Sequence, residues 1–325
     1  MLKKLYISLI ISNLLVQIIK LFHQHMHNFH TKFNKILEIC KIFSTNLVND
    51  KGNIRRPGPV QRFSDLEVVA LRLTAESKSL DSENWLFSKL NHSRHLFPNL
   101  ISRRQYNDRR KSLCGLMEEI RKKIAESIDG FEDYFCVDSK PIEVCRPSRG
   151  KRCKMGRNGD FSTDPNFGYC ASQNKYYFGY KLHALCGLSG VKHSYDLSKA
   201  SVHDLNYMQD VKYLHHDCTI IGNKGYIGAE VQLDLFETAH IRLEYPYRCN
   251  QKEWKPTFVP FAKARKRIET NFSQLTDQFM VIRNYAKLTS GLFARIISKI
   301  SSMTVLQYVN FINNKPIGRI KYALI

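Results

Sequence analysis

The side chains of this chain that could do chemistry are carboxylates at the ends of short buried strands and one on a late amphipathic helix. Asp138 ends the strand-like run 135–138, and Glu269 lies in a helical segment beside Ile268. Mg²⁺ prefers oxygen ligands and keeps several waters, so a few carboxylates on rigid elements are enough to hold it. Two such ions about 4 Å apart activate an attacking oxygen and stabilise a leaving one. The pattern predicts a metal-dependent phosphoryl-transfer site.

A second strand-end position, after the strand-like run 218–221, carries an amide and not a carboxylate. Residues 218–221 are typical of a buried strand, and the turn that follows them holds Asn223. An amide keeps an oxygen but has no negative charge, and its NH₂ group should repel a bridging cation. Asp217 precedes Asn223 by six residues, about 20 Å of extended chain, so we do not expect it to substitute. The sequence leaves the geometry of a second candidate, Asp204, open.

Each of these residues also has an ordinary structural interpretation. An aspartate at a strand end is commonly a turn or capping residue, and Lys140-Pro141 could simply terminate the strand. Glu269 taken alone fits a solvated helix glutamate. Arg265 lies one turn before it, where it could pair with Glu269 or contact a phosphate. The prediction therefore depends on the segments taken together and on their order.

The charge of the chain favours a polyanionic partner. Its 325 residues include 50 Lys and Arg against 29 Asp and Glu, a formal net charge of +21. Basic side chains that neutralise phosphates release condensed counterions, which drives binding to nucleic acid. The alternative is a surface that is merely basic and soluble. The chain is long enough for a sizeable core and two or three domains.

The cysteines indicate a reducing, intracellular protein without a structural zinc site. There are nine of them, an odd number, with no Cys-x-x-Cys pair, and several lie in apolar runs where a thiol behaves as a small hydrophobe. The segment 215–218, His-His-Asp-Cys, resembles a metal-binding group. Adjacent ligands rarely converge on one ion, so we do not expect a metal there.

The amino terminus has three interpretations. Residues 5–22 are apolar, but Ser8, Asn13 and Lys20 are among the residues that interrupt them, which leaves the stretch marginal for a membrane span. Residues 1–25 are an upstream extension if translation starts at Met26, or else an amphipathic helix packed on the domain. A signal peptide is the least favoured interpretation, because no small-x-small cleavage site follows.

Residues 26–130 are predicted to form a small helical domain. Two capping boxes mark helix starts, one at Ser64–Glu67 and one at Ser102–Gln105, and the second is predicted to lead a helix on to Ile128. Five basic residues follow Ser102, and they could grip a DNA backbone or form a solvated face. These five are Arg103, Arg104, Arg109, Arg110 and Lys111.

Residues 131–290 are predicted to form an α/β core, because strand patterns alternate with helix patterns. Predicted strands span 135–138, 176–186, 191–197, 218–221 and 241–245, and predicted helices span 204–214, 229–238 and 262–284. The last helix carries an apolar stripe at Ile268, Phe272, Leu275, Phe279 and Ile282. Residues 291–325 are predicted to form a C-terminal helix and a basic tail.

Five segments together resemble the bacterial insertion-sequence transposases of the DDE type, which have a ribonuclease-H-like core. The closest group is the one called insertion sequence nine-eight-two, and the resemblance covers nearly everything from Met26 onward. The segments are Val137–Pro141, Phe178–His183, Ala200–Asp204, Ile221–Tyr226 and Arg265–Leu275. The resemblance implies a ribonuclease-H-like mixed sheet flanked by helices, after the small helical domain.

The resemblance also implies roles for individual residues. Asp138 is the first catalytic carboxylate and Glu269 the third, both as ligands of Mg²⁺ or Mn²⁺. Asn223 stands where the family pattern has the second aspartate, so we expect this copy to bind DNA but to be catalytically impaired. The residues expected to contact DNA are Arg146, Arg149, Lys151, Arg152, Lys154, Arg157, Lys181, Lys224, Arg265 and Arg267.

The expected function is hydrolysis at transposon ends followed by attack of the freed 3′-hydroxyl on target DNA. The expected partners are double-stranded DNA and a second copy of the chain, in the bacterial cytoplasm at the nucleoid, without a membrane. A catalytically inactive DNA-binding remnant that regulates transposition is the main alternative. A ribonuclease-H-like nuclease unrelated to transposition is the third.

Overall fold

The computed structural model describes residues 28–130, 132–155, 164–247, 255–256, 258–283 and 285–324. The chain forms two compact units, one that ends at Leu113 and one that begins at Cys114. The predictions for residues 1–25, for a start at Met26 and for Arg157 lie outside the described residues. Among the helices of the described part, none is both long and apolar enough to cross a membrane.

The first unit is helical, as its capping signals predict. Its helices are α1 over 28–43, α2 Asp65–Ser77, α3 Glu83–His92 and α4 Arg103–Ser112. At the start of α2 the Ser64 hydroxyl accepts from the Glu67 amide at 3.2 Å, and the Glu67 carboxylate accepts from the Ser64 amide at 2.6 Å. The same reciprocal pair forms before α4, so both predicted capping boxes are confirmed.

Two residues of the predicted basic cluster form ion pairs within the first unit. Arg109 donates to the fully buried Asp65 carboxylate at 2.7 Å, and Arg110 pairs with Glu83 at 2.6 Å. A buried carboxylate is stable only when it is paired in this way. The other three members of the cluster are exposed: Arg103, Arg104 and Lys111.

The second unit is a mixed α/β fold, the predicted class, with a curled sheet flanked by helices. Within the described residues the sheet has six strands: β1 Tyr134–Cys145, β2 Asn166–Cys170, β3 Lys175–Gly187, β4 Lys192–Lys199, β5 Thr219–Ile221 and β6 Arg242–Glu244. The order is β2-β3-β1-β5-β6, and β4 also pairs with β3. Strands β1, β5 and β6 are parallel, and the other pairs are antiparallel. This architecture is compatible with a ribonuclease-H-like core.

Strand β1 is longer than the sequence predicts, and this creates an open sheet edge. It pairs with β5 only over Tyr134–Cys136, whereas its pairing with β3 continues to Cys145. Proline lacks an amide hydrogen, so Pro141 is tolerated where one side of the strand has no partner. The alternative that Lys140-Pro141 ends the strand is therefore wrong. From Asp138 onward, one edge of β1 is unpaired.

Helices cover both faces of the sheet. They are α5 Cys114–Asp129, α6 Tyr207–Val211, α7 Ala229–Ala239, α8 Val259–Asp277, α9 Thr289–Ile312 and α10 Lys321–Leu324. Alternate residues of β1, among them Cys136 and Ile142, pack with Ile268 of α8 and Ile296 of α9. The opposite face of the sheet packs on α6 and α7. Because side chains alternate along a strand, this places Asp138 on the α8 face.

Three predicted helices differ from the observed ones. The helix predicted from Ser102 to Ile128 is interrupted at Leu113, which caps α4. The span 204–214 forms a 3₁₀ turn followed by the short α6. Helix α8 ends at Asp277 rather than at 284, and Met280 adopts a left-handed conformation with φ 51°. Consequently Ile282, predicted to continue the apolar stripe, is 50% exposed.

Replacement of Leu275 by Ala should strongly destabilise the second unit. Leu275 is fully buried in the stripe of α8, and removing a buried leucine side chain typically costs about 2–5 kcal/mol. The matched control is Ile282→Ala, which removes a similar side chain from an exposed position and should change stability by no more than about 0.5 kcal/mol. Urea unfolding followed by circular dichroism measures both. Equal losses in the two variants would contradict the assignment of the stripe.

Candidate active site

A cleft of about 680 Å³ lies where β1 extends past the end of β5. Asp138 lies two residues beyond Cys136, the last residue of β1 paired with β5. Asn223 follows the end of β5, and Glu269 comes from α8. All three side chains line this cleft. The end of one strand, the open edge of its neighbour and the helix across them therefore bring together the three predicted positions.

Glu269 reaches the cleft from the flank of α8. Its neighbour Ile268 is fully buried against the sheet, so Glu269 lies at the margin of the helix face, and its side chain is 56% exposed. Arg265, one turn earlier on the helix, pairs with it at 3.5 Å. The two possibilities for Arg265 in the sequence were this ion pair and a phosphate contact, and the ion pair is formed.

The Asn223 amide donates a hydrogen bond to the Asp138 carboxylate. Its Nδ2 lies 2.8 Å from Asp138 Oδ1, and its Oδ1 accepts from the Gly225 amide at 2.6 Å. The direction of the amide is determined, because a backbone N–H can only donate and the reversed amide would place two donors together. The hydrogen-bond donor of Asn223 therefore faces the carboxylate.

Burial, together with two neighbouring carboxylates, raises the pKa of Asp138. Burial raises the pKa of its carboxyl to about 6, because removal from water disfavours the charged form. The Ser139 amide, which donates to Asp138 Oδ1 at 2.9 Å, and the Arg265 charge lower this pKa, while Asp204 and Glu269 raise it.

Asp204 also lines the cleft, which settles the geometry that the sequence left open. Its Oδ1 accepts from the Ser139 hydroxyl at 3.0 Å and from the Lys181 ammonium at 2.9 Å. A Cβ atom built at Gly225 would lie 3.2 Å from Asp204 Oδ2 and 2.8 Å from Asn223 Oδ1, so both side chains closely approach this turn. Asp204 thus lies near Asn223 and carries its own counter-charge.

Asp217 does not approach this cleft, as the sequence predicts. It lies before β5, at the opposite end of the strand from Asn223, and its carboxylate faces His240 at 3.0 Å. Both of these side chains are largely exposed. Asp217 therefore cannot replace a carboxylate at the position of Asn223.

The predicted divalent cation does not fit the donor set at these three positions. Asp138 and Glu269 offer anionic oxygens, but the oxygen of Asn223 is directed to Gly225 and its NH₂ group to Asp138. Mg²⁺ requires oxygen ligands in near-octahedral geometry. In the described part of the chain, no group of three or more His, Cys, Asp or Glu side chains is arranged to hold a metal ion.

The residues predicted to contact DNA fall into two groups. Lys181 is engaged by Asp204 and by the Val202 carbonyl, at 2.9 and 2.7 Å, and Arg265 is engaged by Glu269. The others within the described residues are exposed: Arg146, Arg149, Lys151, Arg152, Lys154, Lys224 and Arg267. Of these exposed residues, Lys224 lines the cleft itself.

Several cleft residues are absent from the sequence-based predictions of the site, among them Ser139, Tyr169 and Tyr177. Ser139 and Tyr177 line it from β1 and β3, and Tyr169 lines it from β2. The Ser139 hydroxyl matters because it connects Asp204 to the strand that carries Asp138. Ser139 could have been predicted from its position next to Asp138 in the sequence. No sequence pattern indicates that β2 lies beside the cleft.

Comparison with known proteins identifies one family. The family model described as "Transposase DDE domain" matches residues 129–304, more than half of the 325 residues. The match includes Asp138, Asp204, Asn223 and Glu269. No curated protein matches significantly, and no solved structure does.

Asp138 should make stability depend on pH. Its pKa of about 6 in the folded protein exceeds the value of about 3.9 expected in the unfolded chain. The folded state therefore holds the proton more tightly, and the free energy of unfolding should fall as pH rises from about 4 to about 6. In Asp138→Asn, whose amide oxygen can still accept both hydrogen bonds, this loss should be smaller by about 2 kcal/mol.

Urea unfolding from pH 4 to pH 7 with EDTA tests this dependence. The difference between the two proteins cancels the other titrating groups. Parallel stability curves for the wild type and the variant would contradict the raised pKa of Asp138.

Proposed function

Because the chain belongs to the transposase DDE family, we propose that it is an insertion-sequence transposase of the nine-eight-two group whose chemical steps are impaired by Asn223. The family as a whole cuts and joins DNA with divalent metal ions. In this proposal Asp138 and Glu269 are the first and third catalytic carboxylates, and Asn223 occupies the position of the second.

The observation that carries the proposal is the hydrogen bond from Asn223 to Asp138. An aspartate at position 223 would place an anionic oxygen about 2.8 Å from Asp138 Oδ1. Two such oxygens repel unless a cation or a proton lies between them. The amide of Asn223 places a hydrogen between the two side chains instead, so Asp138 has a hydrogen-bond partner without a bound cation. Phosphoryl transfer depends on positioning and charge stabilisation, so a site that holds its metal poorly should be slow.

Asp204 does not restore the missing charge. Its carboxylate is held by the Lys181 ammonium and the Ser139 hydroxyl, and a paired carboxylate attracts a further cation less strongly. Asp204 accepts a hydrogen bond from Ser139 and not from Asp138. Since neighbouring side chains of a strand point to opposite faces of the sheet, Asp204 lies on the face opposite to Asp138. We therefore propose that Asp204 has a structural role and stabilises the unpaired part of β1 through Ser139.

DNA binding is proposed to survive the substitution. The net charge of +21 and the exposed basic residues around 146–154 suit contact with phosphates, which requires no metal. The proposed partners are the transposon ends and target DNA, bound by a homodimer at the bacterial nucleoid. A membrane has no part in this proposal.

A second function is favoured by the same hydrogen bond. If the site with Asn223 is wholly inactive, the chain is a DNA-binding regulator that occupies transposon ends or forms mixed oligomers with active copies. Such a protein needs no Mg²⁺, and its affinity should depend on salt alone. The two functions differ in residual chemistry, which can be measured.

Replacement of Asn223 by Asp should increase DNA cleavage and strand transfer in Mg²⁺ or Mn²⁺. We expect an increase of at least about 10- to 100-fold, by analogy with the cost of disturbing the groups around a bound metal. The assay uses purified full-length chain and DNA that carries the sequences flanking its own coding region. Glu269→Gln in the Asn223→Asp background is the control and should abolish the gain.

The two proposed functions predict different behaviour of the unchanged chain. Slow, metal-dependent cleavage by the wild type supports the impaired transposase. Binding to the same DNA without any cleavage supports the regulator. Equal cleavage rates in the wild type and in Asn223→Asp would contradict the role given to Asn223.

A further inference from the structure

Four aromatic side chains form a stripe on one face of the β2–β3 hairpin. Phe167 lies opposite Phe178, and Tyr169 lies opposite Tyr176. The ring centroids are 4.9 Å apart in both pairs, a normal separation for interacting aromatic rings. We call these four residues the aromatic ribbon. Strand β1 ends opposite Phe178, so the tyrosine pair lies on the part of the hairpin beyond β1.

The tyrosine end of the aromatic ribbon is exposed and preorganised. Tyr169 is 47% exposed and Tyr176 is 69% exposed. The Tyr169 hydroxyl donates to Asn174 Oδ1 at 2.6 Å, and Asn174 adopts a left-handed conformation in the hairpin turn. This contact fixes the orientation of the Tyr169 ring. Neighbouring exposed rings of this kind mark interaction surfaces more often than isolated ones do.

The other end of the aromatic ribbon supports a basic segment. Gly150 is buried, and a Cβ atom there would lie 2.7 Å from both the Phe167 and the Phe178 rings. Only glycine allows the backbone to approach the rings this closely. Gly150 belongs to the 3₁₀ turn Pro147–Arg152, and the surrounding residues 146–154, which we call the basic turn, expose Arg149 and Arg152.

The aromatic ribbon adjoins the cleft of the candidate active site. Tyr169 lines that cleft together with Asp138 and Glu269. Aromatic rings, basic side chains and the candidate active site therefore follow one another along this surface. A surface with aromatic faces beside basic residues matches single-stranded nucleic acid, whose bases stack on rings while its phosphates meet cations. A protein partner would not require the cations of the basic turn.

We propose that the aromatic ribbon binds unpaired bases of DNA next to the cleavage site while the basic turn binds their phosphates. This inference rests on the proposed function, since it assumes a DNA substrate in the cleft. Tyr169 and Tyr176 provide the stacking faces. Phe167, Phe178 and Gly150 connect this platform to the basic turn. Recognition through stacking tolerates any base sequence, because every base has a π face.

The test compares two fluorescent DNA probes with the full-length chain. One is a blunt duplex, and the other is the same duplex with a short single-stranded 3′ extension. The wild type should bind the extended probe more tightly. Y169A/Y176A should lose about 10-fold in affinity for the extended probe and keep its affinity for the blunt one. Y169F/Y176F keeps both stacking faces but lacks the Tyr169 hydroxyl that contacts Asn174, so it should recover most, but not all, of the affinity that Y169A/Y176A loses.

Controls and alternative outcomes decide between the possible roles of this surface. Tyr213→Ala removes a ring that is 76% exposed elsewhere on the unit and should change neither affinity. Equal binding of both probes by the wild type would overturn the aromatic ribbon proposal and leave DNA binding intact. A failure to bind either probe would overturn the proposed function as well. A change of oligomeric state in Y169A/Y176A, without a change in probe preference, would instead assign the surface to contact between two copies.

Discussion

The hydrogen bond between the Asn223 amide and the Asp138 carboxylate determines the electrostatics of the cleft. It forms because β1 extends beyond β5, which leaves Asp138 on an open edge next to the turn that holds Asn223. An amide at this position gives the Asp138 carboxylate a hydrogen-bond donor without a cation. The pKa of that carboxyl is raised to about 6 by burial. A carboxylate there would leave two anionic oxygens facing one another. Under the proposed function, the metal-binding capacity of the cleft depends on this contact.

The parts of the fold that depend on local chemistry could be predicted from the sequence. The two capping boxes use residues three positions apart, and the α8 stripe from Ile268 to Phe279 follows helical spacing, so both are visible in the chain itself. Asp138 and Glu269 could be placed together for a related reason. The end of a buried strand and the flank of an amphipathic helix are positions that the sequence identifies, and the family resemblance supplied their pairing.

The parts that depend on pairing between distant segments could not be predicted. The length of β1 is set by β3, its antiparallel partner, and not by the residues near Pro141. The ion pair between Lys181 and Asp204 joins the middle of β3 to the 3₁₀ turn that begins at Asp204, and no local pattern shows that Lys181 has this partner. The Tyr169–Tyr176 pair requires the register of β2 against β3. In each case the contact joins residues of different elements, and no short sequence pattern shows that they meet.

The measurement that tests this account most directly is metal binding without DNA, because it isolates the contact between Asn223 and Asp138. Titration of Mn²⁺ into the wild type and into Asn223→Asp, followed by electron paramagnetic resonance, gives the affinity of each protein. The account predicts weak binding by the wild type and binding at least about 10-fold tighter by the variant. Glu269→Gln in the variant background should remove the gain. Tight Mn²⁺ binding by the wild type, equal to that of Asn223→Asp, would contradict the account.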